Sequence, residues 1–196
     1  MTPARTTTQL WLVRHGPTEW SRDGRHTGRT DVPLLPDGEH EAAALAPRLG
    51  AVRFDRVLVS PLLRARRTAE LAGFPDAEQE PLLQEWDYGS YEGLTRAQIR
   101  EQVPGWTAWS HPMPGGETLA DVAARARAAL ERVAALDCDR VLLVAHGHLL
   151  RILATVWIQA APELAERLLL DPATVSVLGE DRGTAVIERW NDRADR

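Results

Sequence analysis

Histidine and arginine side chains follow three short apolar runs of this 196-residue sequence. Arg14 and His15 come directly after the first run, and His146 comes directly after the third. Arg64 follows the second run by a few residues. A neutral histidine is a nucleophile, and the planar guanidinium of arginine binds oxyanions in a bidentate manner. This combination predicts chemistry on a phosphoryl group.

Phosphoryl transfer is catalysed mainly by positioning and by stabilisation of charge. Arginines would bind the anionic oxygens, and a histidine would attack phosphorus to give a phospho-enzyme that water later cleaves. The leaving alkoxide then needs a proton from a carboxylic acid. Glu85, Asp87 and Glu92 lie close together in the sequence, and on residue type alone each remains a candidate for this acid.

Strands at the three apolar runs would bring these side chains together. The runs at 10–13, 57–59 and 141–145 have the length and composition of buried strands, and helical patterns separate them. Such alternation predicts an α/β fold, a three-layer α/β/α sandwich around a mostly parallel sheet. The carboxyl ends of parallel strands share one edge of the sheet, where ligands bind. Segments 174–178 and 184–190 predict an antiparallel hairpin at or near a sheet edge.

The predicted helices have recognisable ends. Ser60 is expected to be the N-cap of a helix that runs to Ala72 and is ended by Gly73, and Thr118 is expected to cap a longer helix. The N-terminus of a helix near Gly147 would offer N–H donors to a phosphate. Two further helices are predicted at 37–49 and 149–160.

Composition excludes several classes of protein. All 23 basic residues are arginine, so a lysine-dependent phosphate loop and Schiff-base chemistry are excluded. A net charge of −5 argues against nucleic-acid binding, and the single cysteine fits the cytoplasm. No apolar stretch approaches the ~18 residues of a membrane span. We expect one domain over 1–196, with a disordered tail at 1–8 and a lid-like loop at 104–116.

The residues around His15 resemble the signature of the histidine phosphatase superfamily, the phosphoglycerate-mutase-like proteins. The resembling block is Arg14-His15-Gly16-Pro17-Thr18-Glu19-Trp20-Ser21. Further resembling blocks follow in the same order at 24–31, 60–65, 85–93, 115–117 and 146–148.

The resemblance implies a phosphoglycerate-mutase-like fold, no metal or other cofactor, and a role for each matching residue. It implies that His15 becomes phosphohistidine and that Glu85 donates the proton. The phosphate pocket would be completed by Arg14, Arg64 and His146. The substrate side would be lined by Ser21, Thr27, Gly28, Tyr88 and Gly147.

Departures from the mutases favour hydrolysis. Ser21 and His148 stand where mutases carry asparagine, and Arg96 replaces a substrate-binding lysine. His148 and Arg96 are therefore candidate substrate contacts, and His148 is not expected to bind a metal. The span from Glu85 to His146 also lacks the mutase insertion that holds a bisphosphate. The similarity is greatest to the branch with sedoheptulose-bisphosphatase-type and broad-specificity acid phosphatases.

The sequence thus predicts a metal-independent phosphatase that hydrolyses phosphomonoesters of small metabolites, such as sugar phosphates or bisphosphates. A phosphoglycerate mutase and a non-catalytic regulatory protein of the same fold are the alternatives. The expected partner is a small-molecule phosphate ester, without nucleic acid or membrane, and a homodimer is left open.

Overall fold

Six strands form one sheet in the part of the chain that this computed structural model describes, residues 8–193. Their spatial order is β3, β2, β4, β1, β5, β6. The first four are parallel to one another, and β5 and β6 are antiparallel additions beside β1. The prediction of a mostly parallel sheet with an antiparallel hairpin at one edge is confirmed. The strands are β1 (Gln9–Arg14), β2 (Arg56–Val59), β3 (Glu78–Gln79), β4 (Arg140–Ala145), β5 (Val175–Asp181) and β6 (Thr184–Asp192).

Helices cover both faces of the sheet, as the three-layer prediction requires. One face packs against α3 (Ala46–Gly50) and α4 (Leu63–Leu71), and the other packs against α6 (Leu119–Ala134) and α7 (Gly147–Trp157). Short 3₁₀ helices occur at Pro81–Leu83, Gly89–Tyr91 and Pro162–Arg167. The α-helices are α1 (Glu19–Arg22), α2 (Pro36–Ala44), α3 (Ala46–Gly50), α4 (Leu63–Leu71), α5 (Arg96–Gln102), α6 (Leu119–Ala134) and α7 (Gly147–Trp157).

Strand β4 shows why both faces of the sheet are covered. Val141 and Leu143 belong to the core on the α6 and α7 side, whereas Leu142 and Val144 belong to the core on the α3 and α4 side. All four side chains are fully buried. Burying apolar side chains on both faces is typical of a central parallel strand, and it explains the unbroken apolar run in the sequence.

Helix boundaries are where sequence reasoning was least accurate. Ser60 is not the N-cap of α4, because the helix begins at Leu63 and Leu62 occupies the cap position. The predicted helix at 37–49 is two helices that meet at Leu45, since Pro47 cannot continue the hydrogen-bonding of α2. The helix predicted at 149–160 begins two residues earlier and ends at Trp157.

Other predicted helix ends are confirmed. Thr118 caps α6, and its hydroxyl accepts from the Asp121 amide while the Asp121 side chain accepts from the Thr118 amide. Gly73 follows the end of α4 with φ of +98°, a conformation that suits glycine. Segment 104–116 contains no helix or strand, and its proposed lid motion stays a prediction. Residues 1–7 of the expected tail lie outside the described residues.

The start of α2 packs directly against the turn that follows β1. A Cβ atom added to Gly38 would lie 2.2 Å from the carbonyl oxygen of Pro17. A Cβ atom added to Gly16 would lie 2.5 Å from the carbonyl oxygen of Gly38. Both contacts are with backbone, which cannot swing away. Two glycines therefore allow α2 to support the turn that carries His15.

We predict that Gly38→Ala lowers the free energy of unfolding by about 1–3 kcal/mol, because the new methyl group overpacks this contact. Gly50 in α3 is the matched control, since a Cβ atom there meets nothing within 4 Å. Gly50→Ala should leave stability unchanged or slightly raised. Urea unfolding of both variants tests the prediction, and equal effects would contradict it.

Candidate active site

Two histidines meet where β1 and β4 end. These strands are parallel neighbours, and the amide of His15 extends their ladder by donating to the carbonyl of Ala145 at 3.0 Å. His146 follows Ala145 directly, and the rings of His15 and His146 lie 5.2 Å apart. The predicted meeting of these side chains at one sheet edge is therefore present.

The hydrogen bonding of His15 prepares one ring nitrogen for attack. Nδ1 lies 2.7 Å from the carbonyl oxygen of Gly16, an acceptor that requires Nδ1 to carry the proton. The neutral ring then keeps a lone pair on Nε2. Burial, with help from the charges of Arg64 and Arg14, places the pKa of His15 well below its ordinary value. His15 is therefore neutral near pH 7.

Arg14 has hydrogen-bonding capacity left over. Its Nη1 donates to the carbonyl of Leu170 at 2.5 Å, but its buried Nε has no partner among the described residues. The guanidinium packs against Gly147, where an added Cβ would lie 3.2 Å from Cζ. A buried donor without an acceptor is costly. An anion bound beside Arg14 would supply the missing acceptor.

Arg64 and His146 form a buried pair behind His15. Arg64 Nε donates to His146 Nδ1 at 3.2 Å, so Nε2 of His146 carries the proton and donates to Ser60 Oγ at 2.7 Å. The remaining Arg64 nitrogens donate to the carbonyls of Thr27, Gly28 and Thr30. Burial, together with the Arg64 charge, lowers the pKa of His146 well below its ordinary value.

Glu85 sits at the N-terminus of α7. Its Oε2 accepts from the amide of His148 at 3.0 Å, and its Oε1 accepts from the amides of Leu149 and Trp86, both at 2.9 Å. A carboxylate at this end is also favoured by the helix dipole. The expectation that several amides of this helix end serve a phosphate therefore needs correction, because Glu85 occupies the amides of His148 and Leu149 and leaves that role to the amide of Gly147, which lines the cavity. The Gly147 amide precedes them.

Tyr88 and His148 form a second pair on the substrate side. The Tyr88 hydroxyl and His148 Nδ1 are within hydrogen-bonding distance. Burial raises the pKa of Tyr88 well above its ordinary value and lowers the pKa of His148 well below its own. Tyr88 therefore donates to Nδ1, and His148 keeps its proton on Nε2. This leaves an N–H donor on the opposite edge of the His148 ring.

A cavity of about 180 Å³ lies at this edge of the sheet. Eight of the residues predicted for the site line it, which are Arg14, His15, Ser21, Thr27, Glu85, Tyr88, Gly147 and His148. Ser21 contributes less than a free hydroxyl would, because its Oγ donates to the carbonyl of Thr18 and accepts from the Thr18 amide. This capping box fixes α1 at the rim of the cavity.

Four predicted residues do not line the cavity. Arg64 and His146 are buried behind the cavity, and their hydrogen bonds go to other residues of the protein. The Gly28 amide donates to Glu92, and an added Cβ would lie 2.4 Å from the carbonyl oxygen of Trp86. Arg96 is exposed at the first position of α5. For Arg64 and Arg96, helical position alone did not show which way the side chain extends.

Sequence reasoning missed five residues that line the cavity. The signal for Arg151 was present, since it lies four residues after Gly147 and therefore on the same face of α7. Arg151 donates to the carbonyls of Ala165 and Glu166 and lies 4.5 Å over the ring of Trp109. The other four are Gly24, Arg25, His26 and Leu170.

Residues 8–193 contain no group of three or more His, Cys, Asp or Glu side chains arranged to hold a metal ion. None of the described helices combines the length and the apolar character needed to cross a membrane.

Comparison with known proteins places the chain among phosphate-handling enzymes. Residues 10–193 match the profile of the histidine phosphatase superfamily (branch 1). An acid phosphatase of Mycobacterium tuberculosis is 42% identical over 181 residues, which cover 89% of this chain and 88% of the relative. A 2,3-bisphosphoglycerate-dependent phosphoglycerate mutase of Methylobacterium sp. is 40% identical over 166 residues, with 75% and 79% covered.

A solved structure shows the same fold. The product of open reading frame Rv3214 of Mycobacterium tuberculosis superposes with a TM-score of 0.91 at 39% identity. The match covers 96% of this chain and 99% of that one.

The buried histidines predict that the protein loses stability in acid. Above a pH of about 6.5 a histidine is neutral both folded and unfolded, whereas below it only the unfolded chain takes up the proton. Each histidine with a lowered pKa then costs about 1.4 kcal/mol of unfolding free energy per pH unit, until its folded pKa is reached. We predict that His146→Gln, which can keep both hydrogen bonds, makes this loss less steep.

Urea unfolding at several pH values above and below about 6.5 measures that slope for both proteins. A slope unchanged by the substitution would show that His146 is protonated in the folded protein. The absolute stability of the variant does not enter the comparison.

Proposed function

Since the chain belongs to the histidine phosphatase superfamily and is a phosphoric monoester hydrolase, we propose that it hydrolyses small phosphate esters through a phosphohistidine on His15, without a metal ion. The observation that carries this proposal is that Arg14 and His15 line the same cavity. Arg14 has a buried Nε donor without an acceptor, and His15 has a neutral ring with a lone pair on Nε2. A phosphoryl group would fill both needs.

The charges of the cavity suit a phosphate. Arg14, Arg25 and Arg151 line it, and Glu85 is the acidic residue among the lining residues. The lining histidines His15, His26 and His148 have lowered pKa values because burial disfavours their charged forms. The arginines, which stay protonated, thus supply the positive charge for a dianionic ester.

In the first step, His15 Nε2 attacks phosphorus and the bond to the ester oxygen breaks. Arg14 and the Gly147 amide stabilise the negative charge on the phosphoryl oxygens. Glu85 enters this step as the carboxylic acid and gives its proton to the leaving oxygen. We assign that proton to Oε2, which accepts one backbone N–H, because Oε1 already accepts two.

In the second step, water attacks the phosphohistidine and Glu85, now a carboxylate, accepts its proton. The bond from phosphorus to Nε2 breaks, which returns the neutral histidine and releases inorganic phosphate. Glu85 is thereby protonated again. Among the three carboxylates that residue type had left open, Glu85 is the one that lines the cavity. The Glu92 carboxylate instead accepts from the amides of Gly28 and Thr30.

We propose a small, polar leaving group such as a sugar. The cavity volume of about 180 Å³ lies below the usual range of drug-sized sites, about 300–1,000 Å³. The hydroxyl-bearing side of a sugar would meet the Nε2 donor of His148 and the hydroxyl of Thr27. The prediction that Arg96 contacts a second phosphate has no support from its exposed position.

We predict that His15→Ala lowers hydrolysis of p-nitrophenyl phosphate by at least about 10⁴-fold, because the nucleophile is lost. Wild-type activity should persist after treatment with EDTA, and ³²P from a labelled ester should be trapped on His15. His40→Ala is the control, since His40 is an exposed histidine on α2. Undiminished activity in His15→Ala would refute the proposal.

The same enzyme should be assayed with 3-phosphoglycerate to test the mutase alternative. Formation of 2-phosphoglycerate faster than release of phosphate would replace the phosphatase proposal with a mutase. A protein that neither releases phosphate nor becomes labelled would be a non-catalytic member of the family.

A second prediction concerns Glu85 as the acid. Glu85→Gln should slow hydrolysis of glycerol phosphate by about 10²–10⁴-fold, because an alkoxide needs a proton to leave. The loss with p-nitrophenyl phosphate should be much smaller, since its phenolate leaves without one. Steady-state kcat values for both esters test this.

Asp87→Asn is the control for Glu85→Gln, because Asp87 was the competing carboxylate and its Oδ1 accepts from the Gly89 amide. It should slow both esters equally, and only slightly. If Asp87→Asn shows the selective loss and Glu85→Gln does not, the acid has been misassigned.

A further inference from the structure

Arg125 of α6 holds the backbone on both sides of the Glu85 side chain. Its Nη1 donates to the carbonyl of Gln84 at 2.5 Å and to that of Leu82 at 3.0 Å, and its Nη2 donates to the carbonyl of Glu85 at 3.3 Å. The side chain is 12% exposed. One guanidinium thus binds three carbonyls of the 82–85 segment, which has no regular secondary structure at 84–88.

Glu117 completes this arrangement from the other side. Its two carboxylate oxygens accept from Nε and Nη2 of Arg125, both at 2.8 Å, in a bidentate pair. Oε2 also accepts from the amide of Asp87 at 2.9 Å. Burial acts to raise the pKa of Glu117, but the bonds from Arg125 and the Asp87 amide outweigh it, so its pKa lies below the ordinary value. Glu117 therefore remains a carboxylate near pH 7.

Backbone contacts bring the two segments into register. The Glu117 amide donates to the carbonyl of Asp87 at 2.9 Å, and the Trp86 indole donates to the carbonyl of Glu117 at 2.8 Å. A Cβ atom added to Gly116 would lie 2.3 Å from the carbonyl oxygen of Asp87. The Gly115-Gly116-Glu117 sequence thus lets one chain lie against the other, which explains a motif that the catalytic chemistry leaves unused.

We propose that Arg125 and Glu117 are positioning residues that hold the Glu85 carboxylate against the N-terminus of α7. Neither of them lines the cavity. They restrain residues 84–87, and this restraint keeps Glu85 within hydrogen-bonding distance of the His148 and Leu149 amides. The catalytic part of the inference rests on the proposed function, in which Glu85 is the acid.

Arg132 provides a matched control on the same helix. It is also an arginine of α6 with carboxylate partners, Glu78 and Glu80, but these belong to the edge of the sheet at β3 and the residue after it. Removing its guanidinium also removes ion pairs from α6, but the carbonyls of Leu82, Gln84 and Glu85 keep their partner Arg125. A general effect of losing an α6 arginine should therefore appear in Arg132→Met as well.

The kinetic experiment compares Arg125→Met with Arg132→Met on two esters. In Arg125→Met, kcat for glycerol phosphate should fall at least about tenfold more than kcat for p-nitrophenyl phosphate, because a displaced acid matters most for a poor leaving group. KM should change little, and Arg132→Met should resemble the wild type. Glu117→Gln, a milder change, should show the same selective loss of kcat for glycerol phosphate. Arg125→Lys should lose less of this kcat than Arg125→Met. An equal loss on both esters would overturn the catalytic role.

Amide hydrogen exchange tests the positioning itself and does not depend on activity. In Arg125→Met the His148 and Leu149 amides should exchange at least about tenfold faster, while α7 beyond its first turn and the core strands keep their protection. Unchanged exchange at these amides, or faster exchange throughout the protein, would overturn the proposal. If the wild-type protein is inactive but this local change occurs, the proposed function fails and the positioning role stands.

Discussion

The parallel pairing of β1 with β4 is the constraint on which the site depends. Neighbouring parallel strands end at the same edge, so the residues that follow them share a small region of space. The His15 amide continues the ladder to Ala145, and His146 comes next along β4, which places both imidazoles by backbone hydrogen bonding. The same pairing seats Arg14 against Gly147, where a larger residue would crowd the guanidinium. The sheet thus positions the proposed nucleophile without help from a flexible loop.

Around these strand ends, buried charges are balanced by backbone groups as well as by ion pairs. Arg64 is stabilised by three carbonyls of the 27–30 segment, and the Glu85 carboxylate that the proposed first step produces would be stabilised by three amides. Backbone dipoles are fixed by the fold, so they stabilise each charge without reorganising. Arg64 thereby keeps a positive charge beside two histidines, which helps hold their pKa values low and their rings neutral. A neutral buried imidazole therefore has two effects. It lowers the stability of the protein in acid, and it is the form of histidine that can attack phosphorus.

Much of the architecture could be predicted because its signals are local. The apolar runs at β1, β2 and β4 follow from burial on both faces, and the cap of α6 follows from Thr118 and Asp121. Predictions failed where a side chain forms a contact with a residue distant in sequence in place of the expected local one. Ser60 has the residue type of an N-cap, yet its hydroxyl accepts from His146 across the sheet. Pro47 marks the break between α2 and α3, but the pattern of the surrounding residues obscured it.

The sequence by itself determined the kind of chemistry and the edge of the sheet where it occurs. Residue type fixes what a histidine or an arginine can do, and strand order fixes which chain segments come together. Only the tertiary structure decided which side chains face the cavity and which face the protein. Arg64 and Arg151 both lie on helices that begin near strand ends, but Arg64 turns inward to carbonyls while Arg151 lines the cavity. The direction of a long side chain depends on which hydrogen-bond acceptors lie within its reach, and those acceptors come from segments distant in sequence. For the same reason the role of Arg125 could not be predicted, because its three carbonyl partners lie about forty residues before it.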